Sequence, residues 1–297
     1  MALQNIVGEL NPYIENGVQI EETFGKYKTK LLRSDNDHFT FDFYPSFDEL
    51  SVYYDQVYPN TGGRPFWYNA DNNYADERWV GVVPAIEQWI EHHFGRRDIT
   101  IHEVGCGFGG LVAKLRSLGL DASGTDLNTK AISDGRTRKG NQHIHGRSVY
   151  EFLAEYGSQD MILMQHFLEH VTDPVEILKN MKDHINPGGL IFGRVPNSQF
   201  YLAKHRTIRS HWYGYPHHLH YFSAASIEKI LTHCGYTVLM VGATDAEMFG
   251  DRQWKKFDEI EEVARERGDW NGSWDDLVNL LITRNEAKEV QFVARVD

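Results

Sequence analysis

Apolar residues in the last two thirds of the chain alternate between the period of a strand and the period of a helix. From residue 99 onward the predicted strands are ITIHEV, DASGTD, DMILMQ, LIFGRV, YTVLMV and VQFVARV. In the first interval, Leu111, Leu115 and Leu118 share one helical face and Gly119 ends the helix. DMILMQ is almost wholly apolar, which is typical of a parallel strand covered on both faces. The pattern predicts a doubly wound α/β sheet.

Helix boundaries follow from capping residues and breakers. A helix is predicted over 128–139. The next begins with Pro174 in its first turn and stops at Asn186-Pro187-Gly188-Gly189, and a third is capped by Ser223 and ended by Gly235.

Two regions stand outside this alternation. Residues 1–75 are irregular and rich in aromatics, with one predicted strand at 38–44, and we interpret them as an N-terminal extension that serves as a substrate cap. The main domain is predicted over 76–297 and starts with a helix over 76–94. Its segment 249–287 reads as an insertion of two amphipathic helices, which would form a lid, an oligomer contact or extra core.

Composition excludes several classes of protein. The net charge is −12 and no Lys/Arg-rich run is present, so nucleic acid is not an expected partner. No apolar run approaches the ~20 residues that span a bilayer, and the N-terminal stretch lacks the regions of a signal peptide. Cys106 and Cys234 show neither a disulfide framework nor zinc spacing. A soluble cytoplasmic protein is expected; its oligomeric state stays open.

The candidate chemistry begins at EVGCGFGGL, residues 103–111. Gly105, Gly107 and Gly110 match G-x-G-x-x-G after a strand, and Asp126 ends the next strand, where it would contact a ribose. The spacing allows either an NAD enzyme or another nucleoside-binding enzyme. Glu103, just before the loop, would repel a diphosphate but suits a ligand that carries positive charge.

Four segments together resemble the class I S-adenosylmethionine-dependent methyltransferases, in particular a subgroup that acts on small molecules. They are EVGCGFGG, GTDLN, HFLEHVTDP and HHLHYFSAASIEKILTHCGYTV. The resemblance covers roughly residues 76–245 and the final strand. It implies a Rossmann-like, mostly parallel sheet of seven strands with the last strand antiparallel, and S-adenosylmethionine as the cofactor.

The resemblance also implies roles for individual residues. The backbone of Gly105, Cys106 and Gly107 would pack against the amino-acid moiety of the cofactor. Asp126 would hold the ribose hydroxyls and Leu127 would lie against the adenine. Where the family often has an acidic residue near the adenine, this chain has Arg147 and Ser148, so Ser148 or backbone groups would serve there. Gln165 would lie near the sulfonium.

Histidines are the candidate bases for a hydroxyl acceptor. His166 follows a buried strand and would also lie near the sulfonium, whereas the resemblance gives His170 a structural role in the pocket wall. The aromatic loop 211–222 contributes His218 and His220. That loop carries no close carboxylate and no i, i+4 pair of histidines, so no metal is predicted.

The sequence therefore predicts methyl transfer from S-adenosylmethionine to a small-molecule acceptor, most simply O-methylation of a sugar or secondary metabolite. An NAD-dependent oxidoreductase is the enzymatic alternative. A catalytically idle subunit that binds the cofactor and serves a partner is the alternative of another class.

Overall fold

A computed structural model describes residues 18–20, 31–33, 38–41, 46, 49–50, 70–201, 218–244 and 255–297. Its centre is a seven-stranded sheet. The strands of this sheet are β4 (Thr100–Val104), β5 (Asp121–Thr125), β6 (Ile144–His145), β7 (Gln159–Gln165), β8 (Ile185–Pro196), β10 (Thr237–Thr244) and β11 (Glu289–Arg295). Their order across the sheet is β10-β11-β8-β7-β4-β5-β6. Strands β8, β7, β4, β5 and β6 are parallel, and β11 runs antiparallel to both of its neighbours. The predicted doubly wound sheet with an antiparallel last strand is confirmed.

Nine α-helices lie in the described part of the chain, and a left-handed glycine follows several of them. Gly95 (φ 61°), Gly140 (φ 71°) and Gly235 (φ 78°) are examples. The helices are α1 (Ala70–Asn73), α2 (Val83–Trp89), α3 (Gly110–Ser117), α4 (Thr129–Lys139), α5 (Val149–Tyr156), α6 (Pro174–Lys182), α7 (Ala224–His233), α8 (Lys255–Glu266) and α9 (Trp274–Thr283). A short 3-10 turn at Asp76–Trp79 precedes α2, and the helix continues in a wider turn over Ile90–Phe94.

The predicted end of the helix that begins at Pro174 is wrong. Helix α6 ends at Lys182, and the Asn-Pro-Gly-Gly stretch lies inside β8 rather than between a helix and a strand. Gln159 pairs with Ile185, yet Met161 pairs with Leu190, so the extra residues form a bulge against β7. Pro and Gly are typical of helix ends, and the sequence therefore predicts an end here. The same residues also occur at β-bulges, where the hydrogen bonds between two strands are interrupted.

The sheet is covered on both faces. One cluster packs α5, α6 and α7 against β7, β8 and β11, and includes Phe152, Leu178, Ile191 and Phe292. The other packs α2 and α3 against the opposite face, with Ile86, Leu111 and Leu115 at its centre. Complete burial of the central strands on both faces explains their continuous apolar sequence.

The two predicted insertion helices are present as α8 and α9. Ile260, Val263, Leu277, Val278 and Leu281 are buried together with Phe200 and Tyr201, which follow β8. This packing gives the insertion a core of its own against the end of the sheet. Trp254 and the side chain of Phe257 lie outside the described residues.

A second sheet ties the N-terminal extension to the segment before α7. Strands β1 (Val18–Ile20), β2 (Leu31–Arg33), β3 (Phe39–Phe41) and β9 (His220–Tyr221) form an antiparallel sheet in that order. Phe39 pairs with Tyr221 and Thr40 with His220. Of the predicted strand at 38–44, residues 39–41 form β3, whereas residues 42–44 lie outside the described residues. The role of residues 1–75 as a substrate cap stays a prediction.

None of the described helices has both the length and the apolar character that a membrane crossing requires.

Candidate active site

The candidate site lies where the strand order reverses, between β4 and β7. Strand β5 lies on one side of β4, whereas β7, the next long strand along the chain, lies on the other. The crossovers leave this point in opposite directions, which opens a crevice at the carboxyl ends of the strands. Val104 leads into the glycine loop here, and Gln165 leads into His166.

The glycine loop folds back on the end of β5. Backbone N–H groups of Gly105 and Cys106 donate to the carbonyl of Thr125, at 2.8 and 3.0 Å. Gly105 (φ 73°) and Gly107 (φ 55°) adopt left-handed conformations that favour glycine. A Cβ placed at Gly107 would meet nothing within 4 Å, so that position faces open space. The loop therefore leaves room for a ligand next to its backbone.

The N-terminus of helix α3 is closed to a phosphate. The N–H of Gly110 donates to the Asn73 side-chain oxygen at 2.7 Å, and a Cβ at Gly110 would lie 2.0 Å from the Asn73 carbonyl. A dinucleotide diphosphate uses this helix end in enzymes with the G-x-G-x-x-G loop. Helix α1 occupies the position instead, which argues against a dinucleotide ligand.

Two side chains of opposite charge beside the loop each have a buried polar atom without a hydrogen-bond partner among the described residues. These atoms are Oε2 of Glu103 and Nε of Arg78. Burial raises the pKa of Glu103 well above its usual value; the nearby Asp126 carboxylate raises it further, and Arg78 opposes both. Unsatisfied buried charged groups are costly. A ligand carrying both an ammonium and a carboxylate would satisfy both.

Asp126 and Leu127 occupy the end of β5 at the same crevice. The Asp126 carboxylate accepts hydrogen bonds from the N–H groups of Gly107 (2.8 Å) and Asn128 (2.7 Å). It thereby fixes the glycine loop, and burial raises its pKa. Leu127 is an exposed large apolar side chain, as expected for a residue that covers a ligand's ring system.

The side chains of Cys106 and Ser148 have contacts within the protein. Cys106 is buried, and a Cβ at Gly124 would lie 2.7 Å from the Cβ of Cys106, so this side chain packs against β5. Ser148 begins α5, where its hydroxyl caps the helix and bonds the Glu151 carboxylate at 2.8 Å. Its predicted contact with an adenine stays a prediction, and the hydroxyl already has this partner.

Strand β7 ends in a charged cluster around His166. Nδ1 of His166 lies 3.2 Å from Oε1 of Glu169, and Nε2 lies 2.9 Å from Oε1 of Glu289. Arg194 of β8 pairs with the other oxygen of Glu289. Burial lowers the pKa of His166, but the carboxylates of Glu289 and Glu169 together outweigh it and raise the pKa to about 10. His166 therefore carries a proton on both nitrogens at neutral pH.

The other two candidate bases have different surroundings. His220 lies in β9 and is almost fully buried, with Nδ1 3.1 Å from Nε2 of His38. Burial lowers its pKa to about 3. His218 is half-buried, and its ring is 4.9 Å from that of His170. Of the three histidines, His218 and His166 lie near Glu169, whereas His220 is part of the small sheet.

Gln165 is buried at the end of β7, and its amide nitrogen has no hydrogen-bond partner in the described ranges.

Sequence reasoning missed Arg78, Asn73, Arg194 and Glu289. Asn73 precedes the predicted helix over 76–94, and Arg78 lies in its first turn, before the apolar residues that share its buried face. Arg194 offered one signal, because a charge inside the buried strand LIFGRV requires a partner. Glu289 sits at the start of the last strand and showed nothing that pointed to His166.

Comparisons with known proteins agree with this geometry. The family model described as "Methyltransferase domain" matches residues 82–241, more than half of the chain. A ubiquinone biosynthesis O-methyltransferase of Aromatoleum aromaticum is 30% identical over 124 residues, which cover 40% of this chain and 53% of that protein. The chain thus spans about half the length of this curated relative.

Two solved structures share the fold. The plantazolicin methyltransferase BpumL, in complex with SAH, superposes with a TM-score of 0.54 at 14% identity and covers 84% of this chain and 94% of its own. Magnesium protoporphyrin IX methyltransferase of Synechocystis PCC 6803, with bound SAH, gives a TM-score of 0.53 at 14% identity and covers 85% of this chain and 100% of its own.

Proposed function

Because the chain belongs to the methyltransferase-domain family, we propose that it transfers the methyl group of S-adenosylmethionine to a hydroxyl oxygen of a small molecule. The observation that carries the proposal is the pair of unpartnered atoms beside the glycine loop, Nε of Arg78 and Oε2 of Glu103. The cofactor's amino-acid end has an ammonium and a carboxylate. Both charges find a complement in this pair.

The loop and the end of β5 hold the rest of the cofactor. Gly107 leaves space for it next to the backbone, since no atom lies within 4 Å of a Cβ at this position. Asp126 accepts hydrogen bonds from the ribose hydroxyls in addition to those it takes from the loop, and carboxylates accept up to about four. Leu127 covers the adenine. These residues bind and orient the group without taking part in proton transfer.

The reaction is an in-line displacement. When bound, the cofactor supplies a methyl group on a sulfonium, so that a neutral thioether leaves. The chain holds the acceptor oxygen in line and excludes water, which contributes a large part of the rate. A hydroxyl acceptor also loses its proton, and His166 does not accept it because both of its nitrogens face carboxylates. His218, which lies at the same edge, stays the candidate among the three.

Transfer to an oxygen atom is supported by the name of the curated relative, which is an O-methyltransferase. A cytoplasmic location stays a prediction.

Calorimetry with S-adenosylmethionine, S-adenosylhomocysteine and NAD tests cofactor choice. We expect binding of the first two and none of NAD. Incubation with labelled S-adenosylmethionine and a panel of hydroxylated aromatics and sugars then tests transfer, read as a mass increase of one methylene group. Binding of NAD alone would favour the oxidoreductase, and cofactor binding without transfer to any acceptor would favour the idle subunit.

A further inference from the structure

Folding brings two histidines and a carboxylate together at the edge where the acceptor would bind. Glu169 and His170 lie in the short turn Leu168–His170 after β7, and His218 comes from the segment before β9. One ligand atom from each of the three lies within 4.8 Å of the others. Among the described residues, no other group of three or more His, Cys, Asp or Glu side chains has such spacing.

A backbone hydrogen bond sets the position of His218. The N–H of Leu219 donates to the carbonyl of Glu169 at 2.6 Å. The Leu219 carbonyl in turn accepts from the hydroxyl of Thr40 at 3.1 Å, and Thr40 pairs with His220 between β3 and β9. The N-terminal extension therefore holds the histidine segment against the end of β7.

Glu169 supplies an independent observation that points to a ligand. Its side chain has no solvent exposure, and Oε2 has no hydrogen-bond partner within the described ranges, while Oε1 lies 3.2 Å from His166. A buried carboxylate oxygen left without a donor is costly. His170 and His218 lie beside this carboxylate: Nε2 of His170 is 3.8 Å from Oε1. A divalent cation bound to Oε2 of Glu169 would satisfy this oxygen.

We propose that Glu169, His170 and His218 bind a divalent transition-metal ion, which holds the acceptor through two adjacent oxygens. Two imidazoles and one carboxylate suit Zn²⁺, Mn²⁺ or Fe²⁺, and three protein ligands leave coordination positions open. Ligands about 2.1 Å from one ion lie roughly 3–3.5 Å apart, so small side-chain rotations close the observed spacing. The reaction role rests on the proposed methyl transfer.

The ion accounts for the proton of the acceptor. A hydroxyl bound to a divalent ion has a lowered pKa and loses its proton to solvent. The oxygen then forms the new C–O bond while the S–C bond breaks, and the electron pair of that bond stays on sulfur. Acceptors with vicinal hydroxyls, or a hydroxyl next to a carbonyl, would chelate the ion. In this arrangement His218 binds the metal and no histidine acts as the base.

Metal binding by the full chain tests the site without reference to activity. Protein freed of metal with a chelator is titrated with Zn²⁺ in a calorimeter and with Co²⁺ by visible absorption, which reports the number and kind of ligands. We expect one site, and we expect His218→Ala to weaken it by more than about tenfold, the lower bound seen even for outer partners of zinc ligands. His92→Ala removes an exposed histidine that bonds its own helix and is the matched control.

Circular dichroism tests whether each variant is folded. If His218→Ala is not folded, Glu169→Gln is used in its place, because glutamine keeps the shape of the side chain. Zn²⁺ that binds no tighter than about 1 mM, or equally well in His218→Ala and His92→Ala, overturns the site. Methyl transfer at full rate in EDTA overturns the role of the ion and leaves the proposed function intact. Zn²⁺ binding without any methyl transfer overturns the proposed function and leaves the site intact.

Discussion

His166 and Glu289 form an ion pair, with Nε2 and Oε1 2.9 Å apart, that joins the end of β7 to the first residue of the last strand. His166 adopts a left-handed backbone conformation (φ 53°), which is uncommon for residues other than glycine. The pair holds this residue with its ring between two carboxylates. Arg194, which is almost fully buried, pairs with Glu289, so the carboxylates of Glu169 and Glu289 face two cationic side chains.

The buried charge cluster leads to a prediction about stability. Glu289→Gln removes the ionised partner of Arg194, so an uncompensated charge stays buried. We expect the free energy of unfolding to fall by about 3–5 kcal/mol, measured by urea denaturation. Glu155→Gln, which breaks the exposed pair of Glu155 with Arg147, is the control and should change little. Equal losses in the two variants would contradict the prediction.

Arg78 should recognise the cofactor's carboxylate. Arg78→Ala removes a charge-assisted contact worth about 1.5–3 kcal/mol, so affinity for S-adenosylhomocysteine should fall by more than about tenfold. Affinity for 5′-methylthioadenosine, which lacks the amino-acid end, should stay the same. Arg96→Ala, at an exposed residue that bonds the Asp98 carbonyl, is the control. Calorimetry measures the affinity of the parent and of both variants for each ligand. An equal loss of affinity for the two ligands in Arg78→Ala would show that Arg78 does not contact the cofactor's carboxylate.

Asp126 should hold both the ribose and the glycine loop. Asp126→Ala removes acceptors for the Gly107 and Asn128 N–H groups and for the ribose, so cofactor affinity should fall by at least about tenfold. The control is Asp121→Ala, at the exposed start of the same strand. Thermal melts followed by calorimetry separate folding from binding. A folded Asp126→Ala variant with the parent's affinity would refute this role.

The open space at Gly107 gives a test that holds backbone strain constant. Gly107 (φ 55°) and Gly119 (φ 79°) are both left-handed, and a Cβ at either meets nothing within 4 Å. Alanine should cost each position about 1–2 kcal/mol of stability. Gly107→Ala alone should also lose cofactor affinity, because its Cβ enters the ligand's space. Matching affinities in the two variants would show that Gly107 is only a turn residue.

His102 should make stability depend on pH. It is fully buried on β4 between the hydroxyls of Ser123 and Thr125, and burial lowers its pKa to about 3. Between pH ~6.5 and ~3 the unfolded chain therefore binds a proton that the folded chain does not. This contribution to the free energy of unfolding is complete above pH ~6.5 and falls as the pH falls, by up to about 1.4 kcal/mol per unit.

Urea denaturation of the parent and of His102→Gln at several pH values measures this slope. The variant should show a shallower fall with acid, whatever its absolute stability, since glutamine does not titrate. The exposed control His92→Ala should keep the parent's slope. Identical slopes in the parent and His102→Gln would contradict the assignment.

Local sequence determined the sheet and half of the candidate site. A strand buried on both faces has to be apolar along its length, so DMILMQ and LIFGRV were readable without a structure. The glycines of the loop and Asp126 were equally readable, because each acts through its own backbone or at the end of its own strand. The bulge in β8 was misread, since Pro and Gly interrupt helices and ladders alike. The two-residue strand β6 is too short to show a period, so the sequence pattern did not predict it.

Tertiary structure alone decided which charged residues meet. The histidine loop shows no carboxylate nearby in sequence, and the prediction of no metal followed from that; the fold sets Glu169 beside His218 through the Leu219–Glu169 hydrogen bond. Arg194 and Glu289, 95 positions apart, meet because β11 inserts between β10 and β8. Periodicity records whether a residue is buried, whereas the order of strands and the path of loops determine its neighbours, and neither leaves a local trace in the sequence.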